Sequence, residues 1–456
     1  MFNIRYHLEL RQTLHLALPL VAALLAQIGI EVVDTAMMGR LGPVVLAAGA
    51  LSIATFIVVF VVFVGIISAL GIFVAQAYGA RDHQAIAQHA HQGFYLIVLL
   101  SLPFGVLVWF IPDFFLLIHQ DAQIVALSRT FLHAFVWATP AILGFIGCRE
   151  LFAALHVPRL TMIVALVALP LKGVLNYILM YGKLGLPALH VQGIGIAGVI
   201  VEWLMFAAML IGIYGHNKLR AYLLVDALPA INWQKIGELF RVGLPIGATI
   251  GLEVGLFSVA ALLMGYVGTE QLAAHQVVIQ LSSVSFMFYL GLSQATCIRV
   301  AHSIGARQPK AMKRAINVGM LLGVMCSIVA ATIFLTIPGL LTKIFTGNNQ
   351  HEYLILLQYT VPFFAIAACF QLVDSLQVII SGALRGLKDT FVPMLLGMTS
   401  YWLIGVVSGT TLAFVMQWGG NGLWWGLAIG VTASALILWW RLIFSLRRQH
   451  HLSIKR

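Results

Sequence analysis

Charge is what this sequence lacks. Only 9% of its 456 residues are Asp, Glu, Lys or Arg, against 61% hydrophobic, and the mean hydropathy is +0.99. A chain so poor in polar side chains cannot coat a water-soluble globule, so a soluble enzyme or a nucleic-acid-binding domain is excluded. Cysteine is scarce as well. Cys148, Cys297, Cys326 and Cys369 lie in or at the ends of apolar runs, with no CxxC or His-rich spacing. That pattern excludes a disulfide framework or a zinc cluster and leaves packing as their role. No P-loop, zincin His pair, nucleophile elbow or dinucleotide fingerprint is present, so neither ATP hydrolysis nor a cofactor is expected. The histidines, among them His119, His133, His156 and His275, are scattered near the ends of apolar runs, which argues against a membrane enzyme acting on lipid.

What the chain has in abundance is apolar run. About twelve stretches reach the roughly 20 residues that a helix needs to cross a bilayer. They fall near 14–39, 45–79, 93–118, 125–155, 160–182, 191–214, 239–267, 272–305, 316–345, 352–384, 391–416 and 420–446. The fold class is therefore an all-α polytopic membrane protein of twelve transmembrane helices. The first run is too long for a signal-peptide core and contains Glu31 and Asp34, so it reads as a retained helix. The net charge of +11 is a matter of topology. With both termini cytoplasmic, only Arg40, Arg129, Lys183 and Lys343 of the 26 Lys and Arg fall outside, and Lys172 falls within a span. So uneven a division is what the positive-inside rule expects.

The chain also repeats. ALPLVAALLAQIGIEVVDTAMMGRLGPVVLAA, from Ala17 to Ala48, returns 226 residues later without a gap as GLPIGATIGLEVGLFSVAALLMGYVGTEQLAA. Pro19 becomes Pro245, Met38-Gly39 becomes Met264-Gly265, and Gly79-Ala80-Arg81 becomes Gly305-Ala306-Arg307. Two halves of six helices follow, and because six is even the repeat is parallel, with a pseudo-twofold along the membrane normal. The lobes are 1–215 and 239–456, joined by the polar segment 216–238. Transporters commonly place the substrate site between such repeats.

Ionisable side chains inside a span cost several kcal/mol unless paired, so each needs a reason. Asp34 has Glu31 one turn before it. Glu253 and Asp374 lie deep in the seventh and tenth spans, and Glu202 lies in the sixth. Lys172 is one turn before Asn176 on the same face of the fifth span, and its nearest partner in the same lobe is Asp34 or Glu31. Such a pair serves equally as a structural tie or a proton switch. Glu31, Glu202, Gln276, Gln280, Gln294, Gln371 and Ser375 are either cavity lining or interhelical hydrogen-bonding residues. Met37, Met38, Met264, Met287 and Phe288 are either a polarizable wall for flat apolar substrates or ordinary packing.

Twelve spans in two parallel halves, VDTAMMGRLG ending the first span, QLAAHQVV opening the eighth, and SGALRGLKDTFVPM after the tenth resemble the multidrug and toxic compound extrusion (MATE) family over essentially the whole chain. Carboxylates on both the seventh and tenth spans resemble its NorM-like branch. The resemblance implies a V-shaped exporter of cationic and amphipathic drugs from the bacterial inner membrane, in exchange for sodium or protons, working as a monomer. Glu253 and Asp374 would then form the C-lobe coupling-ion and substrate site, with sodium as one candidate ion, and Asp34 and Asn176 would take the N-lobe role.

Two departures bear on the ion. Lys172 stands where similar proteins often have Asn, and Phe370 stands one turn before Asp374, where some have a tyrosine hydroxyl; Phe370 is also a candidate for the cavity wall. An ammonium competes with sodium for Asp34, so proton coupling is the expectation and sodium the alternative. A lipid-linked saccharide flippase is a further alternative, but it would need several cavity cations and Lys172 stands alone.

Overall fold

The structure is a computed structural model that describes residues 2–223, 230–347 and 350–454. Within those residues it is helical throughout, and twelve helices are long and apolar enough to cross a membrane. They are α1 (Phe2–Arg40), α2 (Pro43–Gly79), α3 (His83–Leu117), α4 (Ala122–Ala154), α5 (Pro158–Tyr181), α6 (His190–Gly215), α7 (Trp233–Val267), α8 (Thr269–Gly305), α9 (Pro309–Thr336), α10 (Gln350–Gly386), α11 (Phe391–Val415) and α12 (Gly419–Ile454). Of the polar segment 216–238, residues 217–223 form a short helix, the first turns of α7 begin at Trp233, and 224–229 lie outside the described residues.

Several helices start earlier than their apolar runs. α1, α7 and α9 begin at Phe2, Trp233 and Pro309 rather than near 14, 239 and 316, because hydropathy registers only the buried length of a helix and not its polar first turns. Capping residues set the true starts. Asp82 accepts a hydrogen bond from Ala85 N at 2.9 Å ahead of α3, and Pro309 occupies the first turn of α9, where no amide donor is needed. The expected single span 316–345 is broken. Pro338 cannot donate to the ladder, so α9 stops at Thr336 and a separate short helix, Pro338–Thr346, follows.

The repeat survives into three dimensions. α2 and α8 each have 37 residues, and both their ends are displaced by the repeat offset. Each is followed by a turn through a left-handed residue, Arg81 (φ 59°) in one half and Arg307 (φ 54°) in the other. His83 and Pro309 then open the next helices at the same offset.

Two compact units emerge. One comprises the residues up to Ala17 together with those from Ala248 onward, and the other is Leu18–Gly247. The divisions fall inside α1 and α7, next to Pro19 and Pro245. Specific contacts account for it. Glu9, on the first turns of α1, grips Arg299 of α8 with Nε–Oε1 at 2.7 Å and Nη2–Oε2 at 3.0 Å. In the other unit the backbone of α7 at Gly247 comes directly against Gly65 of α2, where neither residue has a side chain to hold the helices apart. The core of Leu18–Gly247 is built around Phe63, Phe104 and Leu143, and that of the other unit around Phe363, Tyr401 and Trp424.

Candidate functional site

Each unit buries ionisable groups of its own. In Leu18–Gly247 they converge where α1, α5 and α6 meet. The four-residue spacing of Lys172 and Asn176 places both on one face of α5, where they are 2% and 0% exposed. Asp34 lies across from them on α1. Its Oδ1 accepts from Asn176 Nδ2 at 2.6 Å, and its Oδ2 lies 3.2 Å from Lys172 Nζ. The ammonium also donates to the carbonyl oxygen of Ile194 on α6 at 3.3 Å. Both oxygens of Asp34 are thereby engaged, and the charge of the lysine is matched. Of the two partners the sequence left open for Lys172, Asp34 and Glu31, the contact is with Asp34.

Two more carboxylates surround this pair. Glu202 of α6, half-buried, is close enough for its charge to act on both Lys172 and Asp34, and Glu31 acts on Asp34 from one turn earlier on α1. Asp34 and Glu202 thus share one ammonium. Gly198, four residues before Glu202, gives the lysine its room. A Cβ there would sit 3.1 Å from Lys172 Nζ and 2.7 Å from the ring of Phe135. The sequence offered only one signal for this glycine, its place among the small residues of the sixth span.

The other unit has a different construction. Asp374 of α10 is 3% exposed, and Glu253 of α7 is half-buried and near enough for its charge to act on it. Among the described residues neither carboxylate forms a contact ion pair, although the charge of Arg385, at the end of α10, acts on Glu253. The close neighbours are neutral. Gln371, one turn before Asp374, is buried with neither its amide oxygen nor its amide nitrogen hydrogen-bonded. Gln377, one turn after, donates to the hydroxyl of Tyr401 on α11 at 2.6 Å. Tyr289 of α8 buries a hydroxyl without a partner, and the charge of Asp374 reaches it. A polar cluster with such unengaged donors and acceptors can take a proton, water or a small cation.

Tyr289, Gln377 and Tyr401 went unremarked in the sequence. Tyr401 lies where α11 winds as a π-helix over 399–406, a distortion frequent at functional sites, and nothing in the local residue pattern announces it. Phe370 itself is 4% exposed and lies in the apolar core, edge-on to Phe257 and Trp424, with ring centroids 6.3 and 6.5 Å away. Of the other candidate lining residues, Gln276, Gln280 and Phe288 of α8 are exposed.

Comparison with known proteins gives one answer. The MatE family model matches residues 19–178 and 245–411, one segment in each half of the repeat. The chain is 36% identical over 439 residues to the probable multidrug resistance protein NorM of Rhizobium meliloti, covering 96% of this chain and 94% of that one. It is also 36% identical over 430 residues to the NorM protein of Pseudomonas putida, with 94% and 93% covered. Among solved structures, the eukaryotic MATE transporter AtDTX14 superposes with a TM-score of 0.85 at 23% identity, over 98% of this chain and all of that one. The bent form of the Vibrio cholerae MATE transporter VcmN superposes at 0.86 with 15% identity, over 98% of this chain and 99% of that one. Repeat, twelve spans, paired segments and full-length similarity converge: the chain is a multi-pass membrane transporter, not an enzyme, and belongs to the MatE family.

Proposed function

We propose that this protein exports cationic or amphipathic organic compounds across the bacterial inner membrane in exchange for protons, with Glu253 and Asp374 as the coupling carboxylates. The NorM relatives carry the name of multidrug resistance proteins, and the acids of this chain suit such cargo. An ionised Asp374 or Glu253 in an apolar surround attracts a lipophilic cation. A proton arriving at the same oxygens removes that attraction, so exchange needs only competition for one site. The chain works as a monomer with both termini in the cytoplasm, the orientation favoured by its distribution of Lys and Arg.

One observation carries the preference for protons. Lys172 Nζ stands 3.2 Å from Asp34, so a cation built into the protein holds the N-terminal acid where a sodium ion would need oxygen ligands. The sodium-coupled alternative draws on a different feature, the unengaged oxygen of Gln371 one turn from Asp374. A flippase for lipid-linked saccharides is disfavoured, because Lys172 is committed to Asp34 rather than open to a pyrophosphate. Drug efflux in everted membrane vesicles under an imposed pH gradient, with and without sodium, decides among these. Proton coupling predicts full efflux in sodium-free buffer, and a requirement for sodium would overturn it.

A further inference from the structure

Two turns related by the repeat differ in charge. Gly79-Ala80-Arg81 leads into α3 and Gly305-Ala306-Arg307 into α9, and the helices that follow keep the offset of the repeat. Gln84, Ala87 and Gln88 of α3 then correspond to Lys310, Lys313 and Arg314 of α9, and the capping Asp82 corresponds to Gln308, which makes no side-chain cap. The α3 copy holds protein. Gln92 donates from Nε2 to the carbonyl oxygen of Ala230 at 2.9 Å and accepts from Asn232 N at 2.8 Å, and Gln88 accepts from Lys235 Nζ. In this way the start of α7 is fastened to α3.

The α9 copy instead carries four cations, Arg307, Lys310, Lys313 and Arg314, and no acid. The first three are exposed, Arg314 is half-buried with its Nε unbonded, and none of the four forms an ion pair among the described residues. No Asp or Glu occurs between Glu270 and Glu352. Of the six acids in this unit, Glu253 and Asp374 lie inside spans, and Glu270 and Glu352 open α8 and α10 at the other membrane face. The remaining two, Glu9 and Asp389, are gripped by Arg299 and Arg441. Helix stability does not account for the cluster, since Lys310 in the first turn of α9 faces the positive end of the helix dipole.

The cations continue into an apolar stripe. Lys310, Arg314, Asn317, Leu321, Met325 and Ile328 recur at three- and four-residue spacing and so share one face of α9. Leu321, Met325 and Ile328 are 57%, 55% and 51% exposed on a membrane-crossing helix, so this face is turned to lipid. The apolar run begins near 316, which sets Lys310, Lys313 and Arg314 at the level of the lipid headgroups. A stripe that is cationic at the membrane surface and apolar beneath it matches a lipid with an anionic head, and basic clusters at such a surface attract anionic headgroups.

We propose that the α8–α9 turn and this face of α9 bind an anionic phospholipid, its phosphate held by Lys310, Lys313 and Arg314 and an acyl chain laid along Leu321, Met325 and Ile328. The site rests only on α9 crossing the membrane and is independent of the cargo and the coupling ion. It holds the second copy of the turn to the membrane surface, whereas the first copy is held to the start of α7.

The Leu321→Trp variant provides the readout, because position 321 is exposed and lies on the path of the acyl chain. The purified full-length protein in mixed micelles would be titrated with phosphatidylglycerol or phosphatidylcholine carrying brominated acyl chains, and the fluorescence of the parent subtracted. Quenching is expected at a much lower mole fraction of phosphatidylglycerol. Each basic side chain at a membrane surface contributes about fivefold, so adding Lys313→Gln should remove about fivefold of that preference and adding Lys310→Gln/Lys313→Gln about 25-fold. Arg159→Gln, exposed at the start of α5, which enters from the same membrane face as α9, should remove none. Equal quenching by the two lipids, a preference unchanged in the Lys310→Gln/Lys313→Gln chain, or an equal loss with Arg159→Gln would overturn the proposal. So would displacement by millimolar inorganic phosphate, which would make the cluster a site for a free anion.

Discussion

The two units bury acids in opposite ways. Around Asp34 the protein supplies its own cation, and Lys172, Asn176 and the carbonyl of Ile194 close a hydrogen-bonded set in which both carboxylate oxygens are engaged. Around Asp374 it supplies neutral groups, several of them with hydrogen-bonding capacity left over. The first arrangement pairs its charges within the protein, because a buried ion pair with added hydrogen bonds offsets most of its own desolvation, although the amide oxygen of Asn176 is left without a hydrogen-bond partner. The second leaves the Gln371 amide and the Tyr289 hydroxyl without hydrogen-bond partners. The two halves share similar helical frameworks, but one meets its buried acid with a lysine and the other with neutral polar groups.

That contrast can be broken most severely at Asp374. Asp374→Asn should reduce pH-gradient-driven efflux of an organic cation to the level of vesicles lacking the protein, with the protein still folded; parental efflux would remove Asp374 from the coupling role. Lys172→Met attacks the other side. It leaves Asp34 buried without its counter-charge, and unfolding should shift by about 3–5 kcal/mol towards instability. Adding Asp34→Asn in the same chain should recover most of that loss, and thermal unfolding of the single and double variants measures the coupling between them.

Smaller changes sharpen the comparison further. Gly198→Ala introduces a methyl group against the Phe135 ring and the lysine ammonium, a crowding worth about 1–3 kcal/mol in thermal unfolding. Replacing Lys172 by Asn should make that unfolding temperature rise with added sodium, because a neutral oxygen then faces Asp34; an unchanged temperature would count against the lysine as the group that excludes the ion. Tyr401→Phe should have the least effect, about 1–2 kcal/mol, by leaving the Gln377 amide without its acceptor. If Tyr401 also serves the coupling site, efflux will slow by more than that loss of stability explains.

How much of this was legible in the sequence follows from how local each feature is. The offset that carries Pro19 onto Pro245 also carries both ends of α2 onto those of α8, because helix length and turn chemistry are written in adjacent residues. The partner of Lys172 could be narrowed in advance to Asp34 or Glu31, since an ammonium inside a span has few places to go, and the fold selected Asp34. Tyr401 and Gln377 could not, because the contact joins two helices across 24 residues and depends on how far each is rotated about its axis. Glu9 and Arg299 are 290 residues apart, and no local pattern joins them.

The sequence by itself determined that the chain crosses a membrane twelve times, that its two halves are copies, and which acids would have to be sheltered. Composition and periodicity suffice for that, because the free energy of placing a residue in lipid depends mainly on the residue and its immediate neighbours. Tertiary structure alone decided that one acid meets a lysine while the other meets glutamines and tyrosines, that the division into units runs through α1 and α7, and that Gln88 and Gln92 of α3 hold residues 230–235. Those outcomes depend on the rotation and register of packed helices, and in packed helices a fraction of a turn exchanges one neighbour for another.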